Sequence, residues 1–447
     1  MSGALQAVFT NLRSFLGPPA FATSMGDSQS FSGKSVARDS AGNFFVASSR
    51  SNNTGAFTNI AKYSRLGVIQ WQNNYDVNSS ALCSIAIDLA NDTLFVCVVK
   101  SPNQVVILKL ANSNGAVTAQ TRFTTPRVDY IGEFAGSNLA VDSSGNVIFC
   151  TGGRVAITNV DEMFIVKLNS SLTQSWQRLI PNAAARSLEP KPGVITDASN
   201  NIYVCGTILN GGYDKAYIAK LNSSGTFQWG RRLDNSGAYG GESNTGSLKS
   251  MVVDSAGDVY AVGLITMSSG TFLYLVKYNS SGTFQWERML SGTSQLYGIN
   301  VSIDSSNNLY IVANGSEAIA GGYIVKYNSS GTLQWQRNID SSDSTVTFGA
   351  FGSTYNTPID TPQMLFNSFT TSTFRTLLMS VPPDGSRTGT FTVSGVTYLY
   401  SASSLSAPAP ATTKTNEGSA TTPTKTQDTP SFTASGTSLT TNTVQLP

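Results

Sequence analysis

The chain holds five tryptophans, and each stands nine positions after a lysine: Trp71 after Lys62, Trp176 after Lys167, Trp229 after Lys220, Trp286 after Lys277 and Trp335 after Lys326. An aspartate opens the same stretches, at Asp39, Asp142, Asp197, Asp254 and Asp304, 31 to 34 residues before the tryptophan. Such regularity marks a repeated supersecondary unit, which confines the chain to architectures that stack one unit many times. A sixth copy is degenerate, with Asp88 and Lys109 in place and Ala119 where tryptophan is expected after a one-residue insertion. A seventh begins at Asp360 and runs through QMLFNSFTT, FRTLLMSVPPDGSRTG and FTVSGVTYLY, with Ser380 at the lysine position. The repeat length of roughly 54 residues suits a propeller blade with generous loops.

Each unit reads as four strands. The first ends at the aspartate, the second follows a Ser-x-Gly-Asn/Asp or similar turn, and the third and fourth flank Asn-Ser-Ser-Gly. In the hairpin of the fifth unit, Gly282 fits the left-handed position of a three-residue loop. Counting outward from that loop pairs Lys277 with Gln285 and Val276 with Trp286, which places Trp286 on an apolar face. The third strand, FLYLVKY, is apolar on both sides, as expected of a sheet sandwiched between neighbours. Solenoid coils have shorter periods, and immunoglobulin-like arrays need independent cores. The expected fold is therefore all-β: a seven-bladed β-propeller of four-stranded blades over residues 35–404, with an amino-terminal attachment segment at 1–34 and a Ser/Thr/Pro-rich tail at 405–447.

Composition narrows the chemistry. Only 12% of residues are charged, the net charge is +2, and Lys and Arg are scattered, so no nucleic-acid-binding stripe is expected. Histidine is absent, which removes the most frequent acid/base and metal-binding side chain. There is no Gly-rich phosphate loop and no Ser/His/Asp or Cys/His set, so no catalytic residue, metal or cofactor is expected and the chain does not read as an enzyme. An Asp before a Ser-x-Gly turn caps that turn's amides. Lys at the end of an apolar strand snorkels to the rim or pairs with that Asp. The Asp turns offer too few oxygen side chains for calcium, and the Asn-Ser-Ser triplets at Asn169, Asn222, Asn279 and Asn328 read as hairpin turns, not glycosylation sites. Cys83, Cys97, Cys150 and Cys205 lack zinc spacings and read as buried free thiols, in keeping with folding in a reducing cytoplasm. No apolar run approaches the roughly 20 residues that span a bilayer, and the opening stretch lacks the basic start of a secretion signal.

Function should then lie in loops and chain ends. Leu5, Val8, Phe9, Leu12 and Phe15 share one side of a helix that Gly17-Pro18-Pro19 would stop, which makes residues 4–16 a partner-docking segment. Tyr239, in the loop near Gly240 to Thr245, and Phe348, Phe351 and Tyr355, in the loop from Ser341 to Thr357, are candidate face-loop contacts.

The opening MSGALQAVFTNLRSF with its Gly-Pro-Pro resembles the amino-terminal segment shared by virion structural proteins of marine tailed phages, notably cyanophages. VPPDGSRTGTFTVSGVTYLYSASSL resembles segments recurrent in the same proteins. The resemblance implies a common attachment element bearing different exposed modules, and no family active site. It implies a protein of the tail, baseplate or a fibre, folded in the host cytoplasm. Multiple copies would contact other virion proteins and, on the host-facing side, a surface glycan or receptor. Competing readings are a carbohydrate-binding bacterial propeller with aromatic pockets at the Trp positions, a capsid decoration protein, and a propeller hydrolase or lyase using carboxylates or Tyr.

Overall fold

Alternating turn residues and β-branched or aromatic runs favour strands through the repeats, and every described regular element is a β-strand. The computed structural model describes residues 22–406 apart from connecting segments, the longest at 125–137, 182–192 and 234–244, together with residues 440–442. The fold is an all-β propeller of four-stranded antiparallel blades.

Six blades are each built from four strands that follow one another in the chain. Blade 1 consists of Ser30–Arg38, Phe44–Asn52, Gly55–Tyr63 and Ile69–Tyr75, from the innermost strand outward. Blade 2 runs from Ser79–Asp88 to Val117–Thr124, blade 3 from Leu139–Val141 to Gln174–Pro181, and blade 4 from Gly193–Thr196 to Phe227–Leu233. Blade 5 runs from Thr245–Val253 to Phe284–Leu290 and blade 6 from Leu296–Ile303 to Leu333–Ser341. The first strand of each blade lies against the first strand of the next. The core sits between blades: in blade 5, the third strand Gly270–Tyr278 buries seven of its nine residues, because both of its faces meet apolar neighbours.

The remaining sheet departs from the expected seventh unit. Its strands are Thr347–Asn356, Thr361–Phe369 and Phe374–Ser380, and its fourth is Ala22–Met25 from the other end of the chain, with Ala22 opposite Met379. The stretch FTVSGVTYLY does not complete this sheet. It forms a hairpin, Gly389–Val393 and Val396–Ala402, that extends blade 6 outward by pairing Arg337 with Ala402 through Ser341 with Tyr398. Two causes are visible. Pro382 and Pro383 interrupt the ladder just after Phe374–Ser380, and Tyr398 and Tyr400 become buried beside Ile339 and Met364.

Three boundaries change accordingly. The sheets begin at Ala22, not at residue 35. Phe348, Phe351 and Tyr355 belong to the strand Thr347–Asn356 instead of a loop. The tail is not wholly separate: Leu405 is buried near Leu290, Ser406 bridges to Ser291, and Thr440–Asn442 pair with the outer strand of blade 2.

Candidate functional site

The most elaborate polar chemistry of the described residues lies at the end of the blades that carries the short turns. Each unit brings two turns there. In the first, Asp142 Oδ1 accepts hydrogen bonds from the amides of Ser144 (3.0 Å) and Asn146 (2.9 Å), while Oδ2 accepts from the Asn146 side chain (2.9 Å). In the second, Asn279 Oδ1 accepts from the amides of Ser281 (3.1 Å) and Thr283 (2.8 Å), and Gly282 takes a φ of 75°. Both are side-chain-capped turns, as the sequence implied.

The hairpin register differs from the simple count. Trp286 pairs with Lys277, and Gln285 is an extra residue opposite the step from Lys277 to Tyr278. The same bulge pairs Lys62 with Trp71, Lys167 with Trp176, Lys220 with Trp229 and Lys326 with Trp335. Bulges sharpen the strand twist and re-aim side chains. Here the bulge puts Lys and Trp on one face, toward the next blade.

What they meet there is the neighbour's hairpin. Trp71 covers Gly115, Trp176 Gly225, Trp229 Gly282, Trp286 Gly331 and Trp335 Gly385; a Cβ on any of these glycines would lie 2.5–3.0 Å from the indole. Indole Nε1 donates to a carbonyl of the same hairpin: Trp71 to Asn112 (2.9 Å), Trp229 to Ser280 (3.2 Å) and Trp335 to Pro383 (3.0 Å). The lysines donate alongside, Lys167 to Ser223 (3.2 Å), Lys220 to Ser280 (3.2 Å) and Lys326 to Pro383 (2.9 Å). Two residues after the Trp, an arginine completes the grip. Arg178, Arg231 and Arg288 donate to Gly225, Gly282 and Gly331 at 2.6–2.9 Å, and these arginines and Arg337 stack 5.0–5.6 Å from the preceding indole. The sequence carried this signal as Trp-x-Arg in four of the five tryptophan units, but the arginines were not read as partners.

Lysine also returns to the aspartate. Lys62 meets Asp39 at 3.2 Å and Lys167 meets Asp142 at 2.8 Å, whereas in blade 5 Lys277 uses Asp258 at 2.9 Å. Burial works against the charge on Asp142, but the hydrogen bonds from Lys167 and Asn146 outweigh it and hold the carboxyl below the usual carboxylate range. Each pair lies within one blade, and from it Lys62 and Lys167 reach across to the next blade's hairpin.

The sequence-derived candidates are not brought together. Leu5, Val8, Phe9, Leu12, Phe15 and Tyr239 lie outside the described residues, and Phe348, Phe351 and Tyr355 share one strand. Among the described residues, no group of three or more His, Cys, Asp or Glu is placed to hold a metal ion, and no helix is long and apolar enough to cross a membrane. The four cysteines are free and buried, and burial pushes the thiols of Cys83, Cys97 and Cys205 up to about 12.

No protein-family model matches the chain, and no curated protein matches it. Among solved structures it is similar to the polysaccharide lyase Uly1, with a TM-score of 0.50 and 10% identity over 84% of this chain and 97% of that one. A protein of unknown function from Dyadobacter fermentans DSM 18053 aligns over 68% of this chain and 95% of that one, with a TM-score of 0.43 and 10% identity. At 10% identity the likeness to Uly1 is one of fold, and it agrees with the blades described above: the chain is an all-β propeller of four-stranded antiparallel blades.

Proposed function

We propose that the chain is a structural protein of a phage virion, in the tail, baseplate or a fibre, with the propeller as an assembly or host-facing binding module. The observation that carries this reading is that the first described strand, Ala22–Met25, is the outer edge strand of its sheet. The sequence sets an apolar stripe before it, Leu5, Val8, Phe9, Leu12 and Phe15, and a partner docked on that stripe would not have to open a blade. The likeness of that segment, and of VPPDGSRTGTFTVSGVTYLYSASSL, to virion proteins of marine tailed phages supports the same assignment. We read the composite sheet as a seventh blade, because its inner strand Thr347–Asn356 touches the first strands of both blade 6 and blade 1.

A carbohydrate-binding propeller with a pocket at every Trp draws less support, since each indole is already covered by the next blade's hairpin. A lyase role, by analogy with Uly1, would require acid and base groups gathered at one mouth of the ring, and the sequence offers no histidine for it. The test is deletion of residues 1–19. The truncated protein should keep its unfolding temperature and be missing from purified particles by mass spectrometry. Normal incorporation of the truncated chain, or absence of the intact chain from particles, overturns the assignment.

A further inference from the structure

We infer that the structure sets up a covalent amide between Lys62 of blade 1 and Asn112 of blade 2, formed without an added enzyme. At the other junctions, the hairpin residue whose carbonyl receives the lysine is Ser170, Ser223, Ser280 or Pro383. Among these five described junctions it is an asparagine in this one, and its carboxamide turns to the same lysine: Lys62 Nζ hydrogen-bonds both the carbonyl oxygen of Asn112 (3.4 Å) and its side-chain Oδ1. Nζ is thereby held beside Cγ.

Asp39 completes the set. Its Oδ2 lies 3.2 Å from Lys62 Nζ and accepts from Asn112 Nδ2 at 3.3 Å. The side chains of Lys62 and Asp39 are 10% and 2% exposed, and the ammonium lies 5.2 Å from the centre of the Phe45 ring. A lysine nucleophile, a carboxylate within reach of both reacting groups and limited access of water are what aminolysis of a carboxamide needs.

The step balances without a co-reactant. Asp39 takes a proton from the Lys62 ammonium, and the freed Nζ lone pair attacks Asn112 Cγ. The Cγ–Nδ2 bond then breaks, and Nδ2 leaves as ammonium with the two protons that Nζ gives up, Asp39 relaying them and ending as carboxylate. Burial opposes the charge on Asp39, but hydrogen bonds from Asn43 and Asn112 keep it ionised, so the resting state is an ion pair and the bond forms slowly after folding. The junction has use for it: Asn73 stands where four other blades place the gripping arginine, and its shorter side chain reaches the hairpin at the Asn114 carbonyl (2.8 Å).

Intact mass and peptide mapping of the folded protein, fresh and after prolonged incubation, test the proposal. The wild type should become lighter than its sequence mass by one ammonia and yield a branched peptide joining Lys62 to Asn112. Asn112→Ser, which installs the residue used at other junctions, should fold and keep the full sequence mass, and Asp39→Asn should slow or abolish the loss. A wild type that stays at full mass overturns the proposal. So does an ammonia loss that maps to a linear peptide with a succinimide at Asn114–Gly115.

Discussion

The junction between blades 4 and 5 and the junction between blades 2 and 3 fill the same space from opposite sides. At the first, Trp229 is 6% exposed and lies on Gly282, whose φ of 75° suits glycine. At the second, Ala119 replaces the tryptophan, and the facing hairpin has Leu172 where the others have glycine, at a φ of 64° and 4% exposed. Ala119 and Leu172 belong to one apolar cluster. The bulky group has moved from one blade to its neighbour. A leucine in left-handed conformation costs about 1–2 kcal/mol, and burial of its side chain, worth roughly 1.5–3 kcal/mol, offsets that. The volume between blades is what the fold maintains, and either partner can supply it.

The largest expected effect breaks the first junction. Trp229→Ala should destabilise by about 3–5 kcal/mol in urea or thermal unfolding, as large-to-small core changes do. Gly282→Leu alone should also destabilise, by about 2–4 kcal/mol, from the clash with the indole and the left-handed backbone. Combined, the two changes rebuild the arrangement of blades 2 and 3. Their joint cost should fall short of the sum by more than about 1 kcal/mol, and strict additivity would mean that the two junctions are not equivalent.

The reverse experiment is gentler. Leu172→Gly should cost about 1–3 kcal/mol, since relief of the backbone offsets part of the lost burial. Adding Ala119→Trp should recover stability in the Leu172→Gly background and lower it in the wild type.

This exchange was written in the sequence, as Asn-Ser-Ser-Leu at 169–172 against Asn-Ser-Ser-Gly elsewhere, beside the missing tryptophan. The blades were legible because Asp, Lys and Trp each answer to local geometry: a capped turn, a strand end and a bulged hairpin. The hairpin register was misread by one position because the bulge at Gln285 adds a residue to one strand only, and outward counting assumes none. The composite sheet was illegible for a different reason. Its outer strand Ala22–Met25 lies more than 300 residues from its partner Phe374–Ser380, and no periodicity within a repeat can announce such a pairing. The arginine grip needed only a look two positions past each tryptophan. The candidate loop aromatics Phe348, Phe351 and Tyr355 came from an argument about loops, and the strand Thr347–Asn356 corrects the element they stand on.

Electrostatics separates blade 3 from blade 5 more modestly. The Asp142 side chain is fully buried beside Lys167, whereas Asp258 is 23% exposed beside Lys277. Because the folded-state carboxyl of Asp142 titrates below its ordinary value, its contribution is complete above the unfolded pKa and is lost as pH falls through the folded one. Asp142→Asn should therefore cost about 2 kcal/mol near neutral pH and progressively less in acid below the usual carboxylate range. Asp258→Asn should cost less at neutral pH. Equal penalties in a pH series of unfolding curves would contradict the contrast in burial.

The smallest effect leaves stability untouched and compares the two junctions directly. Cys97 lies in the apolar cluster between blades 2 and 3, and Cys205 in the one between blades 4 and 5. Both are 1% exposed or less, and both thiols are raised to about 12, chiefly by burial. At neutral pH neither is a thiolate in the folded state, so alkylation must wait for local opening, and its rate reports the stability of the surrounding packing. If leucine on one blade replaces tryptophan on the other without loss, Cys97 and Cys205 should react with a small alkylating agent at the same slow rate, followed residue by residue by peptide mass mapping. Faster labelling of Cys97 would mean that the exchanged junction fills the space but opens more readily. Trp229→Ala should then speed labelling of Cys205 more than that of Cys97, because the two cysteines belong to separate clusters.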